Sequence, residues 1–331
     1  MSKPKVVITR RIPDTALRMI EVKANVFIWD YEDVPIPRDI LLKECREASG
    51  IFTNVGDLID HQLFENSPKL KVVSTMAVGF DNIDIQEATK RGIRVGHTPG
   101  ILSETTADLT FALLMATARR IVEATDYIKE GKWKSWSPML LTGQDVYGAV
   151  IGIIGMGRIG EGVARRALGF GMKILYHNRN RLPDTEEKLN TSYRSLDDLV
   201  KESDYVVMLA PSTPETYKMI GERELALMKP NAIFINASRG TNVDENALYS
   251  ALKEKRIWAA GLDVFENEPL SSQHPLMSLP NVLATPHIGS ATISTRTKMA
   301  VLTSQNLLLG LEDKPLIHCV NFNSQDSTTL V

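Results

Sequence analysis

The chain has 331 residues, which is too long for one ordinary small domain and suits about two. A composition of 43% hydrophobic and 24% charged residues allows a large core that needs no metal or disulfide to stabilise it. The formal net charge is −2, Lys and Arg are scattered, and no run of about 18 apolar residues occurs, so binding to nucleic acid or membrane is not expected.

The cysteines and the chain ends indicate a cytoplasmic protein. Cys45 and Cys319 lie far apart and show no metal-binding spacing, so we expect free thiols in a reducing cytoplasm and no bound metal. The apolar run Val6–Ile8 is too short for a signal peptide. The polar segment Asn321–Val331 predicts a loose tail.

The first hundred residues alternate short apolar runs with helical segments such as Pro37–Ala48. This alternation predicts βαβ units and a parallel sheet. The predicted strands of this region are Lys5–Thr9, Val26–Trp29, Gly50–Thr53, Leu70–Thr75 and Ile93–Val95.

A longer helix is predicted from Ser103 to about Ile121, because apolar residues recur there on one face at helical spacing. It is long enough to bridge two domains. The following segment, Gly131–Gly143, is rich in Trp, Ser, Pro and Gly and predicts a loop.

A second alternating series begins at Ala149 and predicts a second parallel sheet. From Ile293 to about Leu311 the pattern is helical again. The predicted strands of this series are Val150–Ile154, Lys173–Tyr176, Tyr205–Leu209, Ala232–Asn236, Ala259–Val264 and Val282–Thr285.

The segment Val150–Gly160 is a predicted strand that runs into Gly-x-Gly-x-x-Gly. Gly155 should make the tight turn, Gly157 should let a pyrophosphate approach the backbone, and Gly160 should let helix and strand pack closely. The helix that follows would direct its positive N-terminus at the phosphates. Because a second strand follows at the right distance, the motif indicates a dinucleotide site rather than a glycine-rich turn without a ligand.

The end of the second strand bears on the choice of cofactor. An Asp or Glu there would hydrogen-bond the ribose hydroxyls of NAD. This chain has Asn178, Arg179 and Arg181 instead, and an arginine can pair with the 2′-phosphate of NADP. We therefore expect NADP(H) to be preferred, with NAD(H) as the second choice, unless these arginines are only solvated loop charges.

Three residues that follow predicted strands of the second series, Arg239, Glu268 and His287, suit the reduction of a small 2-oxo acid. Ligands of open α/β sheets bind outside the carboxyl ends of the strands. His287 could give a proton to the carbonyl oxygen, and Glu268 could favour the imidazolium and orient the ring. Arg239 could bind the substrate carboxylate by paired hydrogen bonds and polarise the carbonyl. Taken singly, each residue of these three is more often structural than catalytic.

The chain resembles the D-isomer-specific 2-hydroxyacid dehydrogenase family from Val6 to about Asn321. The resemblance implies that Arg239 binds substrate, that Glu268 and His287 form the acid–base pair, and that a nicotinamide dinucleotide is the cofactor. The motifs that carry it are Val78-Gly-Phe-Asp-Asn-Ile-Asp84, the Gly155 fingerprint, Asn236-Ala-Ser-Arg-Gly240, Ala260-Gly-Leu-Asp-Val-Phe-Glu-Asn-Glu-Pro269 and Pro286-His-Ile-Gly289.

The same resemblance implies further contacts. Val78 and Gly79 would present backbone N–H groups to the substrate carboxylate, and Asp263 would lie near the nicotinamide amide. The positions that match the family's cofactor contacts are Thr106, Arg158, Ile159, Ala210, Pro211, Ala237, Ser238, Asp263 and Gly289. The predicted cofactor-binding set also includes Gly155, Gly157, Gly160, Asn178, Arg179, Arg181, Arg239 and His287, although Asn178 departs from the family's usual acidic residue.

Within the family the chain is most similar to the glyoxylate/hydroxypyruvate reductase branch, which includes 2-ketogluconate reductases. The resemblance rests on Trp133-Lys-Ser-Trp-Ser-Pro138, Gly261–Glu266, His287–Thr292 and Asn178-Arg179. It implies a homodimer in which Trp136 reaches the substrate pocket of the other subunit. As an alternative, Trp136 is an aromatic residue that packs within its own loop.

The resemblance also implies two doubly wound parallel-sheet domains, a Rossmann cofactor domain inserted into a flavodoxin-like substrate domain. Residues 1–101 and 289–331 would form the discontinuous substrate domain, and residues 102–288 the cofactor domain. The two long helices would form a hinge that lets the domains close over the substrate.

Two alternatives stay open at this point. A dinucleotide-sensing protein that binds a partner would share the cofactor motif, although the chain shows no added partner motif. A dehydrogenase of the same fold could also act on an oxyanion such as phosphite, because the three predicted catalytic residues do not exclude it.

Overall fold

The computed structural model describes residues 3–322, so most of the predicted tail, from residue 323 onward, lies outside the described residues. The chain divides into two compact units. Ser103–Ser290 form the second unit, and the described residues before and after that range form the first. No helix of the described residues is long and apolar enough to span a bilayer.

The first unit is built around short strands whose inner members are buried along most of their length. Its elements are β1 (Lys5–Ile8), α1 (Asp14–Glu21), β2 (Asn25–Ile28), α2 (Arg38–Cys45), β3 (Gly50–Thr53), α3 (His61–Asn66), β4 (Val72–Thr75), α4 (Ile85–Lys90) and β5 (Arg94–Gly96).

The second unit has more strands than the first. Its elements are α5 (Ser103–Ala118), α6 (Ile121–Lys129), β6 (Val150–Ile154), α7 (Arg158–Gly169), β7 (Lys173–His177), α8 (Pro183–Leu189), β8 (Thr191–Tyr193), α9 (Leu196–Glu202), β9 (Tyr205–Met208), α10 (Glu222–Leu227), β10 (Ile233–Asn236), α11 (Glu245–Lys253), β11 (Ala259–Leu262) and β12 (Val282–Ala284). The last helix of the chain, α12 (Ile293–Leu311), returns to the first unit.

The first unit contains a five-stranded parallel sheet in the order β2-β1-β3-β4-β5, which is the flavodoxin-like order. Helices cover both faces, which is why its inner strands can be apolar on both sides. Leu41, Leu63 and Phe64 belong to the core on one face, and Ala16, Ala300 and Leu307 belong to the core on the other.

The second unit contains a seven-stranded parallel sheet in the order β12-β11-β10-β9-β6-β7-β8. Counted within the unit, its first six strands follow the Rossmann order 3-2-1-4-5-6. The order reverses between β6 and β9, and ligands of doubly wound sheets bind at such a switch point. The predicted fold class, two doubly wound parallel-sheet domains, is confirmed.

The helix predicted to end near Ile121 stops earlier, at Ala118, and a separate helix, α6, follows it. Arg120 adopts the left-handed conformation, with φ of 52°, which breaks the helical path. The carbonyl of Ala118 accepts a hydrogen bond from the N–H of Gln144 at 2.9 Å, where a continuing helix would have supplied its own N–H. Neither α6 nor the short edge strand β8 was predicted from the sequence.

Candidate functional site

The glycine-rich loop lies at the switch point of the second sheet. Gly155 follows β6 with φ of 101°, and a Cβ there would lie 2.4 Å from the amide nitrogen of Ala210, which follows β9. A Cβ on Gly160 would lie 2.5 Å from the carbonyl oxygen of Gly155. Two of the three glycines are therefore required by close backbone packing.

The third glycine, Gly157, faces open space. It is the N-cap of α7, and a Cβ placed there would meet no atom within 4 Å. Among residues 3–322, no side chain caps the N-terminal N–H groups of this helix, which leaves them directed at a region that an anionic group could occupy. Arg158 and Ile159 begin the helix. This arrangement suits the pyrophosphate of a dinucleotide.

Asn178, the residue after β7, is bonded to the glycine-rich loop. Its Oδ1 accepts a hydrogen bond from the N–H of Met156 at 2.7 Å, and its Nδ2 donates to the carbonyl of Met156 at 3.4 Å. The side chain therefore stabilises the loop between Gly155 and Gly157. The sequence indicated only that Asn178 replaces a carboxylate.

The two arginines that follow Asn178 differ in their surroundings. Arg181 forms a two-pronged ion pair with Glu186, with nitrogen–oxygen distances of 2.7 and 2.6 Å. This pair, with a hydrogen bond from Tyr176, lowers the pKa of Glu186 to about 2. Arg179 is exposed and makes no hydrogen bond or ion pair with any residue from 3 to 322. Arg179 is therefore the arginine that is available to an incoming phosphate.

Hydrogen bonds of Asn236 fix the conformation of the loop after β10, which carries Arg239. Asn236 Oδ1 accepts hydrogen bonds from the N–H and the hydroxyl of Ser238, at 3.1 and 2.8 Å, and its Nδ2 donates to the carbonyl of Arg239 at 3.0 Å. A Cβ on Gly240 would lie 1.8 Å from the carbonyl carbon of Phe265. Only glycine allows this contact, which brings the loop of Arg239 against the loop of Glu268.

Glu268 and His287 form a hydrogen-bonded pair, with 2.7 Å between Oε2 and Nδ1. The side chains are 33% and 28% exposed, so the pair is accessible to a small ligand. The other oxygen of Glu268 accepts the N–H of Phe265 at 2.9 Å. Because an ionised carboxylate can only accept, Nδ1 carries a proton and Nε2 is the nitrogen left to face a substrate.

The pKa of Glu268 is lowered from its ordinary value. Burial raises it, but the hydrogen bond and positive charge of His287, the N–H of Phe265 and the charge of Arg239 together outweigh burial. Glu268 is therefore ionised at neutral pH. The influence of Arg239 on this pKa also shows that the three predicted catalytic residues lie in one neighbourhood.

Asp263 holds the segment that carries His287. Its side chain is 1% exposed, and its oxygens accept hydrogen bonds from the N–H groups of Ile288 and Gly289 at 2.9 and 2.8 Å. The hydroxyl of Thr285 donates to it at 2.6 Å, and its carbonyl accepts the N–H of His287 at 2.9 Å. His287 has φ of 52°, a conformation that costs a non-glycine residue roughly 1–3 kcal/mol and persists only where its surroundings impose it. Asp263 provides that constraint.

The remaining predicted site residues of the second unit follow its strands or lie on and after its first two helices. Thr106 of α5 faces Gly289, whose added Cβ would lie 3.2 Å from Thr106 Cγ2. Ala210 and Pro211 follow β9 beside the glycine-rich loop, and Ala237 follows β10. Trp136 lies after α6 and is 79% exposed.

Val78 and Gly79 lie in the first unit, after β4. The N–H groups of these two residues donate no hydrogen bond within residues 3–322, although the residues are half-buried. Unpaired backbone donors in such a position are rare and are a feature of anion-binding loops.

Comparison with known proteins identifies the family of the chain. The family model described as the NAD-binding domain of D-isomer-specific 2-hydroxyacid dehydrogenases matches residues 111–289. A glyoxylate reductase of Thermococcus gammatolerans is 51% identical over 92% of this chain and 92% of its own length. A glyoxylate reductase of Thermococcus litoralis is 52% identical over 92% of this chain and 93% of its own.

Two solved structures show how far the similarity extends in three dimensions. A protein from Thermus thermophilus superposes with a TM-score of 0.89 at 43% identity, over 96% of this chain and 99% of that one. An NADPH-dependent glyoxylate/hydroxypyruvate reductase from Sinorhizobium meliloti, in complex with NADP and malonate, superposes with a TM-score of 0.83 at 32% identity. That comparison covers 96% of this chain and 97% of the other.

Proposed function

The chain belongs to the D-isomer-specific 2-hydroxyacid dehydrogenase family, and on that basis we propose that it reduces glyoxylate, or a small 2-oxo acid such as hydroxypyruvate or 2-ketogluconate, to the D-2-hydroxy acid. The observation that carries this proposal is the Glu268–His287 pair, 2.7 Å between oxygen and nitrogen, with Arg239 close enough to lower the pKa of Glu268. The glyoxylate reductases that match the chain over its length support glyoxylate as a substrate.

The proposed chemistry assigns one task to each of these three residues. When bound, the nicotinamide dinucleotide supplies the hydride that the carbonyl carbon receives. His287 gives the proton on Nε2 to the carbonyl oxygen, and the ionised Glu268 stabilises the positive ring before the transfer. Arg239 binds the substrate carboxylate by charge-assisted hydrogen bonds and stabilises the negative charge that develops on the carbonyl oxygen. The N–H groups of Val78 and Gly79 also donate to the carboxylate.

The experiment that tests this function is a panel of 2-oxo acids assayed with the purified protein. We expect NADPH oxidation with glyoxylate, hydroxypyruvate or 2-ketogluconate, and none without a substrate. In the opposite direction we expect no reduction of NADP+ with phosphite. Tight binding of cofactor with no turnover of any 2-oxo acid would contradict the proposal and would indicate a dinucleotide sensor.

We propose that NADP(H) is preferred over NAD(H) and that Arg179 supplies the preference. Arg179→Ala should raise KM for NADPH at least about tenfold and leave KM for NADH within about twofold, since a charge-assisted hydrogen bond contributes roughly 1.5–3 kcal/mol. The measurement is the initial rate with each cofactor at saturating glyoxylate.

Arg181→Ala is the matched control for this prediction, because the Arg181 guanidinium is held by Glu186. It should change KM for NADPH less than Arg179→Ala does. A larger effect at Arg181, or a wild-type protein with equal KM values for the two cofactors, would contradict the assignment.

We propose a homodimer in which a second copy covers α6 and the segment after it. α6 has no fully buried residue, although it carries Ile121, Val122 and Ile128. Trp133, Trp136 and Met139 of the following segment are also exposed. Apolar surface of this extent is typical of subunit interfaces.

The contribution of Trp136 to substrate binding is separable from dimer formation. Trp136→Ala should raise KM for the 2-oxo acid several-fold while sedimentation still shows a dimer. A monomeric wild-type protein, or an unchanged KM in a dimeric Trp136→Ala variant, would contradict this part of the proposal.

A cytoplasmic location is part of the same proposal. Cys45 and Cys319 are free cysteines in the structure, and burial raises the pKa of the Cys45 thiol to about 12. Two unpaired thiols are typical of proteins from a reducing compartment.

A further inference from the structure

A cluster of polar side chains lies where β1 and β3 end in the first unit. Its centre is Asp57, which is only 5% exposed. One carboxylate oxygen, Oδ2, accepts hydrogen bonds from the hydroxyls of Thr9 and Thr53 at 2.5 and 2.7 Å. The same oxygen accepts the N–H and the side-chain amide of Asn54, at 3.2 and 2.9 Å. This carboxylate therefore ties the ends of two neighbouring strands together.

The cluster continues into the loop that follows β4, residues 78–83, which we call the carboxylate loop. Asn82 of this loop donates from Nδ2 to the carbonyls of Asn54 and Asp57, at 3.0 and 2.7 Å. Its own carbonyl accepts the N–H of Ile59 at 3.0 Å. One side chain thus connects the carboxylate loop to the residues that Asp57 organises.

The other end of the carboxylate loop has a second anchor. His97, after β5, lies with Nδ1 at 3.0 Å from the carbonyl oxygen of Val78. Because a carbonyl can only accept, Nδ1–H is the donor. The carbonyl of Val78 is therefore occupied, whereas the N–H groups of Val78 and Gly79 are not paired within residues 3–322.

We propose that Asp57 and Asn82 are positioning residues that hold the carboxylate loop in the conformation that binds the substrate carboxylate, and that they set the affinity for the 2-oxo acid. The proposal rests on the function proposed above, in which the N–H groups of Val78 and Gly79 receive that carboxylate. A loop that is already in its bound conformation pays less entropy when the ligand binds. Loss of the Asn82 bonds should therefore weaken binding of the substrate rather than of the cofactor.

Asn82→Ala tests this inference, because it removes both amide donors without adding bulk. We expect KM for glyoxylate and the inhibition constant for oxamate, an unreactive 2-oxo acid isostere, to rise at least about tenfold. kcat should stay within about threefold, and the dissociation constant of NADPH within about twofold. A merely structural role would not separate these quantities, because a partly unfolded protein loses active sites and lowers kcat.

Asn66→Ala is the matched control. Asn66 lies in the same unit and also donates its side-chain amide to a backbone carbonyl, that of Leu42, but it does not contact the carboxylate loop. It should leave the glyoxylate and oxamate constants unchanged. If Asn82→Ala does not fold, Asn82→Leu has a similar volume, adds no charge and removes the same donors, with the same expected result.

Failure of the inference can be told apart from failure of the proposed function. Oxamate binding to the NADPH complex is measured by calorimetry in the wild type and in Asn82→Ala, independently of turnover. A wild type that turns over glyoxylate, with an Asn82→Ala variant that binds oxamate equally well, would overturn only the inference. A wild type without turnover, whose oxamate binding still depends on Asn82, would overturn only the proposed reaction.

Discussion

Replacing His287 with alanine should lower kcat for glyoxylate reduction by about 10²–10⁴, the usual contribution of a general acid. The cofactor should still bind, because the glycine-rich loop and the N-terminus of α7 do not depend on the imidazole. Two sets of hydrogen bonds position the His287 ring. The Glu268 carboxylate lies 2.7 Å from Nδ1, and the Asp263 carboxylate accepts the N–H groups of Ile288 and Gly289, which follow His287. Alanine removes the proton donor and its hydrogen bond to Glu268, and leaves the backbone hydrogen bonds to Asp263 in place.

The measurement is single-turnover reduction together with NADPH binding by fluorescence. His61→Ala is a suitable control, because His61 also lies beside a glutamate, with 3.2 Å between His61 Nδ1 and Glu87 Oε1, but it belongs to the first unit. It should leave kcat within about twofold. A His287→Ala variant with near-normal kcat would eliminate His287 as the proton donor.

Glu268→Gln should shift the pH dependence of the reduction rate in a direction that can be predicted. The pKa of Glu268 is lowered, so the carboxylate is ionised across the neutral range and supports a protonated ring there. The neutral amide of glutamine carries no charge to stabilise a protonated ring. The decline of the reduction rate with rising pH should therefore move to lower pH in the variant. An unchanged pH profile would contradict this role for Glu268.

Replacing Arg239 with methionine should lower kcat/KM for glyoxylate by about 10²–10⁴. Two charge-assisted hydrogen bonds contribute roughly 1.5–3 kcal/mol each, and about 1.4 kcal/mol corresponds to a factor of ten. Part of the loss should appear as a higher KM, because the arginine binds the carboxylate in the ground state, and part as a lower kcat. Methionine has a comparable length and keeps the apolar stem.

Arg239→Lys makes the test more specific, since lysine keeps the charge but cannot form the paired contact. It should recover only part of the lost activity. Arg223→Met is the control, because Arg223 forms a comparable two-pronged pair with Asp197, at 2.8 and 2.9 Å, in the same unit. Equal losses at Arg239 and Arg223, or full recovery with lysine, would argue against carboxylate binding by Arg239.

The sequence predicted the parts of the fold whose cause is local. Strands such as β6 and β9 are buried on both faces and are therefore apolar throughout, which the sequence shows directly. The edge strand β8, Thr191–Tyr193, is short and partly polar, so no periodicity marked it. The break between α5 and α6 depends on Arg120 and on a distant partner, Gln144, which no local pattern contains.

The site was predictable in its residue types but not in its contacts. Glycines 155, 157 and 160 follow a strand at fixed spacing, so the cofactor loop could be recognised from the motif. The different surroundings of Arg179 and Arg181 could not be predicted, because they depend on how α8 places Glu186 against Arg181. Gly240 was the one available sign that the loops of Arg239 and Glu268 touch, since a glycine directly after a candidate ligand often marks close backbone approach.

The most direct test of the central claim is the handedness of the product that the purified protein forms from hydroxypyruvate with NADPH. We predict stoichiometric oxidation of NADPH and formation of D-glycerate alone, with activity lost in His287→Ala. Formation of L-glycerate, or absence of turnover with hydroxypyruvate, glyoxylate and 2-ketogluconate alike, would contradict it.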